Sequence, residues 1–133
     1  MNIKRCLGCM RCMIILKNSE HIRVQKDDMN KIYPKIMEAD VLVFVSPMYW
    51  WGITGELKLA IDRFQTITRH AGVDYLGRKF TALFMICRGG GAQAERMWYA
   101  ARSQVVGCRD LGYVFGIEKQ NVEEARQLGT SIK

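Results

Sequence analysis

The chain has 133 residues, five cysteines and a formal net charge of +7, the length of one ordinary domain. With 49% hydrophobic and 25% charged residues, it has enough apolar surface to offset the entropy of ordering, which excludes a disordered tail or a collagen-like repeat. Neither a membrane-spanning helix nor a secretory leader is expected: the longest apolar stretch, Val41 to Ile53, is broken by Ser46 and Pro47, and Met1 to Arg11 is charged without an apolar run.

Residues 1–26 form a cysteine-containing N-terminal segment within a single domain spanning 1–133. Asp27 and Asp28 then precede Met29, Ile32, Tyr33, Ile36 and Met37, an amphipathic helix spacing whose acidic start can cap free N–H groups. Pro34 is expected to bend it. Val41 to Val45 is continuously apolar and β-branched, which suits a strand covered on both faces of a parallel sheet. After the Pro- and Gly-containing Ser46 to Gly55, a second helix is marked by Leu57, Ala60, Ile61, Phe64 and Ile67. Gly72 to Arg78 reads as a loop, and Phe80 to Cys87 as a second buried strand. Gly89, Gly90 and Gly91 open a helix carrying Ala94, Met97, Trp98, Ala101 and Val105. Tyr113 to Phe115 reads as a third strand, and Glu123 to Ile132 as a last helix. The alternation predicts an α/β fold: a three-layer parallel sheet of three core strands flanked by about four helices, with right-handed crossovers.

Ligands in such sheets sit beyond the carboxyl ends of the strands. Two loops there have unusual composition. Ser46-Pro47-Met48-Tyr49-Trp50-Trp51-Gly52 places three aromatics in succession, which suits either the wall of a flat aromatic ligand or a subunit interface. Arg88-Gly89-Gly90-Gly91 suits either a tight turn or a backbone approach to an anion at a helix start. Cys6, Cys9 and Cys12 have metal-site spacing, but an iron–sulfur cluster generally takes four cysteines and no fourth follows closely. Cys87 and Cys108 read as small core or edge residues. His21 is a conceivable substitute ligand, and His70 suits a helix C-terminus. Five cysteines without an export signal do not make a disulfide framework. No acid–base constellation stands out, so a cofactor would carry any chemistry. The scattered positive charge fits solubility, an anionic cofactor or a nucleic-acid surface, and no motif supports the last, so nucleic acid is not an expected partner.

Taken in order, C-x-G-C-x-x-C, D-D-M before a helix, a strand ending S-P-M-Y-W-W-G, and T-G-E-L-K-L-A-I-D-R closely resemble the flavodoxin-like NAD(P)H-dependent FMN reductases. The branch that includes iron–sulfur flavoproteins is the most similar. The resemblance runs from about Ile3 to Ile132. It implies a cytoplasmic, FMN-dependent oxidoreductase that forms dimers or tetramers. FMN would accept hydride from NAD(P)H and pass electrons to a flavin, quinone or other small acceptor. Ser46, Pro47, Met48, Tyr49, Trp50, Trp51 and Gly52 would line the isoalloxazine, with Arg88, Gly89, Gly90 and Gly91 approaching from the next strand end. Cys6, Cys9 and Cys12 would be metal ligands or a remnant of the cluster site.

The sequence departs from the family in two places. The family's first strand, its Gly/Ser-rich phosphate loop, the following helix and the second strand have no counterpart before Met1-Asn2-Ile3. That predicts strand Val41 to Val45 as an open edge inviting another chain, and weakened or lost FMN binding. The fourth cluster cysteine is also missing. The alternatives are a non-catalytic, oligomer-forming fragment of the family, and an iron–sulfur or metal-binding electron carrier.

Overall fold

The computed structural model describes residues 1–14, 25–71, 73–105, 108–116 and 118–132. Three parallel strands, β1 (Val41–Pro47), β2 (Phe80–Ile86) and β3 (Arg109–Phe115), form one sheet in the order β1-β2-β3. The helices are α1 (Arg11–Ile14), α2 (Met29–Glu38), α3 (Gly55–Asp62), α4 (Gln65–Ala71), α5 (Val73–Gly77), α6 (Gly91–Val105) and α7 (Lys119–Ser131).

Register explains which side chains meet the helices. Val43 pairs with Ala82 and Val45 with Phe84, so these share one face, while Phe44, Leu83 and Met85 share the other. On the second face Leu83, Met85, Ala94 and Trp98 make one core cluster. Met29, Tyr33, Ile36, Phe64, Ile67, Leu76 and Cys108 make another, and Phe44 packs against both. On the first face α7 covers β3, where Leu128 lies against Gly112. Val43 and Val45 stay 48% and 63% exposed. Among the described residues β1 is an edge strand, and its first face is open, which corrects the expectation from its continuous apolar run of a strand covered on both faces.

Several boundaries differ from the sequence expectation. The helix expected through Ile67 breaks at Arg63 and Phe64, whose N–H groups bond three residues back to Ala60 and Ile61 (3.1 and 2.9 Å). The Tyr33 hydroxyl takes up the Arg63 carbonyl (3.4 Å), so tertiary contacts supply what the broken helix gives up. The loop expected over Gly72 to Arg78 contains α5, and β3 begins at Arg109 rather than Tyr113. α2 runs through Pro34 without interruption. Gly72 and the side chains of His70, Ala101 and Val105 fall outside the described set, as does His21.

Candidate functional site

The loop after β1 is built from its base upward. Ser46, buried at 1% exposure, donates to the Pro47 carbonyl (2.8 Å) and accepts the Thr54 N–H (3.0 Å). Its hydroxyl thus fastens both ends of the loop. Met48 N–H donates to the Ile86 carbonyl (3.0 Å), carrying the β1–β2 pairing one residue further. Tyr49 and Gly52 exchange reciprocal backbone bonds of 3.0 and 3.1 Å, closing a two-residue turn over Trp50 and Trp51. Both tryptophans have positive φ, 50° and 60°. Tight hairpin turns with two left-handed residues ordinarily take Asn-Gly or Gly-Gly. Here the indoles are thrown outward: Tyr49, Trp50 and Trp51 are 64%, 88% and 47% exposed, with the two indoles edge to face at 5.0 Å. Thr54 ends the loop by accepting the Leu57 N–H (3.3 Å), which caps α3.

The loop after β2 fits against this turn. Gly90 has φ of 75°, and a Cβ there would lie 2.7 Å from the Trp51 ring and 3.2 Å from the Met48 methyl. Its carbonyl accepts from Gln93 and Ala94 (3.1 and 3.2 Å), starting α6. Gly91 abuts the Phe115 ring, 3.1 Å from where its Cβ would stand, whereas nothing lies within 4 Å of a Cβ on Gly89. An open cleft of about 510 Å³ runs beside it, lined by Cys87, Arg88, Gly89 and Gly91 on one side and Phe115, Glu118 and Asn121 on the other.

The structure therefore brings Met48 and Trp51 together with Gly90, and sets Arg88, Gly89 and Gly91 on the cleft. Pro47 and Tyr49 stay exposed, Ser46 is turned inward, and Gly52 packs near Met97. Sequence reading missed Cys87, Phe115, Glu118 and Asn121. The available signal was Gly116, whose φ of 142° ends β3 directly before α7. Glu118 and Asn121 are fixed by the Glu118 N–H bond to Asn121 Oδ1 (3.0 Å). On the outer side of this region the Tyr113 hydroxyl donates to Glu95 Oε1. That bond, with burial and the carboxylate charge behind it, pushes the Tyr113 phenol up to about 12. Tyr113 stacks on Phe115 at 4.5 Å.

The cysteine segment is held by acidic residues that sequence reading assigned to a helix start. Asp27 Oδ2 accepts from Lys4 N–H (3.0 Å) and from Arg63 Nη1 (2.7 Å), and Arg63 also donates to the Lys4 carbonyl (3.0 Å). Asp28 Oδ2 accepts the Asn2 N–H (2.7 Å). The Asp27 side chain is shielded from solvent and that of Arg63 is 6% exposed. Burial works to raise the Asp27 carboxyl, but the Lys4 N–H and the Arg63 guanidinium outweigh it and hold the carboxyl below its ordinary value. Asp27 Oδ1 additionally accepts the Met29 N–H (3.2 Å).

Cys6, Cys9 and Cys12, the expected metal set, lie close together. The three residues line one shallow cavity of about 90 Å³. Among the described residues, however, no three His, Cys, Asp or Glu side chains are placed to hold a metal ion. Left-handed residues at Gly8 and Met10 (φ 61° and 56°) turn the chain so that Cys6 and Cys9 face outward while Cys12 is half-buried. Among the described residues no helix is long and apolar enough to cross a membrane.

The family model described as NADPH-dependent FMN reductase matches residues 7–121. An iron–sulfur flavoprotein of Archaeoglobus fulgidus is 26% identical over 138 aligned residues, covering 98% of this chain and 59% of that protein. Another iron–sulfur flavoprotein of the same organism is 36% identical over 105 residues, covering 78% of this chain and 46% of its own length. The chain thus spans about half the length of these relatives. The solved structure of the Trp repressor binding protein from Bacillus subtilis superposes with a TM-score of 0.56 at 22% identity, covering 77% of this chain and 72% of that one. The architecture is therefore the flavodoxin-like α/β fold.

Proposed function

The chain belongs to the NADPH-dependent FMN reductase family, and from that premise we propose that it works as an FMN-dependent oxidoreductase with NAD(P)H as reductant. The observation that carries the reading is the joining of the two strand-end loops, with the Trp51 indole seated where a side chain on Gly90 would be. Together they present outward aromatic rings beside exposed glycine backbone and an open cleft. A flat conjugated ring fits this arrangement: aromatic faces pack against it, and the bare backbone at Gly89 admits close approach.

Met48, Tyr49, Trp50, Trp51 and Gly52 would hold the ring from the β1 side, and Arg88, Gly89, Gly90 and Gly91 from the β2 side. When bound, FMN supplies two-electron acceptance from NAD(P)H and onward transfer to a flavin, quinone or similar small acceptor. The chain's own contribution is to orient and to shield. Ser46 and the Tyr49–Gly52 pair fix the aromatic wall, Gly90 leaves room for Trp51, and the first turn of α6 offers N–H groups to an electronegative atom. No side chain is required as acid or base. The open β1 edge and the outward indoles further support a homo-oligomer, and sedimentation across a concentration series tests it. A shift to a single monomeric species at all concentrations would remove that part.

Titrating flavin-free protein into FMN tests the main reading. Saturable quenching of flavin fluorescence is expected, together with bleaching of the bound flavin near 450 nm by NADPH under anaerobic conditions. Unquenched FMN at high protein concentration, with folded protein verified by circular dichroism, overturns it.

A further inference from the structure

The three cysteines of the N-terminal segment take no part in the proposed flavin chemistry. They line one cavity of about 90 Å³ together with Gln25, Arg63 and Thr66. The stretch before them is anchored. Asp27 accepts the Lys4 N–H, Arg63 donates to the Lys4 carbonyl, and Gln25 Nε2 donates to the Arg5 carbonyl (3.0 Å). Cys6 follows that anchored stretch directly. Cys9 stands between the left-handed residues Gly8 and Met10 and is exposed, whereas Cys12 lies in α1 and is half-buried. Arg63, paired with Asp27 and 6% exposed, gives the cavity a fixed wall.

We propose that Cys9 and Cys12 form a dithiol–disulfide pair that reacts with low-molecular-weight disulfides, in place of holding an iron–sulfur cluster. A cluster generally takes four cysteines, and among the described residues no three candidate ligands are gathered for a metal ion. Pairwise thiol chemistry needs less. Only Met10 and Arg11 separate Cys9 from Cys12, so closing the bond orders a very short loop. Exposure sets the order of events, because attack requires access. The Cys9 thiolate attacks one sulfur of a small disulfide R–S–S–R, a Cys9–S–S–R bond forms, and R–S⁻ leaves. The half-buried Cys12 thiolate then attacks the Cys9 sulfur and expels the second R–S⁻. Two protein thiols are oxidised, one small disulfide is reduced, and the two thiol protons pass to the two released thiolates. The proposal does not rest on the flavin reading, because it uses the thiols of this segment alone and is tested without flavin.

In the experiment the full chain, reduced and flavin-free, is incubated anaerobically with glutathione disulfide, denatured in iodoacetamide and digested with trypsin. Cleavage after Arg11 parts Cys6 and Cys9 from Cys12. A disulfide to Cys12 therefore holds two peptides together, while a Cys6–Cys9 bond stays within one. Alkylated thiols are expected to fall from five to three, with peptides 6–11 and 12–17 joined, fragmentation locating the bond on Cys9, and dithiothreitol parting them again. Cys6→Ser should keep the joined pair, Cys9→Ser should remove it, and Cys12→Ser should stop at a glutathione adduct on Cys9. Five alkylated thiols, an adduct that persists on the unaltered chain, a bond within peptide 6–11, or one that reaches Cys87 or Cys108 overturns the proposal. So does stoichiometric uptake of iron and acid-labile sulfide by the reduced chain. The peptide map needs only the unaltered chain, so a poorly folding variant leaves the test intact.

Discussion

In the loop after β1 the left-handed positions belong to Trp50 and Trp51, at φ of 50° and 60°, and in the loop after β2 to Gly90, at 75°. Both loops turn sharply off a strand end and start a helix within a few residues. A left-handed conformation costs glycine nothing and an ordinary L-residue about 1–2 kcal/mol. The aromatic loop keeps that strain because its base is over-determined by the Ser46, Met48 and Tyr49–Gly52 bonds. Gly90 is relaxed in its backbone but sterically committed, because Trp51 fills the space of its missing side chain. The strained loop supplies the surface and the relaxed loop makes room for it.

Gly90→Ala attacks both sides of this contrast and should have the largest effect. The new Cβ meets the Trp51 ring and sits at an unfavourable φ, so a loss of about 2–4 kcal/mol is expected in urea unfolding. A red shift of tryptophan emission should accompany it as Trp51 is displaced. A loss below about 1 kcal/mol would mean the loops are independent. Trp50→Asn runs the other way. It relieves the turn and gives up an indole contact worth about 0.5–1.5 kcal/mol, so stability should rise by up to about 1 kcal/mol. FMN affinity should fall in the same variant, and equal retention of both would separate the strain from the proposed function.

The Tyr113–Glu95 bond gives a smaller, alkaline signal. The Tyr113 phenol is raised, so its contribution is complete below the ordinary value of 10.0 and is lost as pH climbs toward about 12. Absorbance at 295 nm should show the Tyr113 phenol titrating late, and Glu95→Gln should bring it back toward its ordinary value of 10.0. The smallest effect on the two loops is expected from acid. The Asp27 carboxyl is held below its ordinary value of 3.8. Its stabilisation is thus present above that value and lost as pH falls through the lower folded value. Amide resonances of Asn2 and Lys4 should shift in that window while that of Gly90 stays in place. Coincident movement of all three would join the cysteine segment to the loops.

The periodicity of Leu42, Phe44, Ile61 and Trp98 made the layers and most of the core legible in the sequence, and strand ends pointed to both loops. What escaped was set by tertiary contact. Nothing local in Asp27-Asp28 distinguishes a helix start from a latch on Lys4 and Arg63, since the partners lie 23 and 36 residues away. The break at Arg63 has the same origin, as apolar spacing continues through it to Ile67. The cysteine spacing was visible, but the left-handed turns at Gly8 and Met10 that orient the thiols were not. Glu118 and Asn121 reach the cleft only because β3 stops at Gly116.

β2 is the sole strand of the three with neighbours on both sides, and its Leu83 and Met85 are essentially sealed from solvent. Its amides can exchange with deuterium only when the whole sheet opens, whereas β1 can fray from its free side. The glycine loop is therefore hung from the doubly paired strand and the aromatic loop from one of the two edge strands. Deuterium should accordingly enter the amides of Val43 and Val45 before those of Leu83 and Met85.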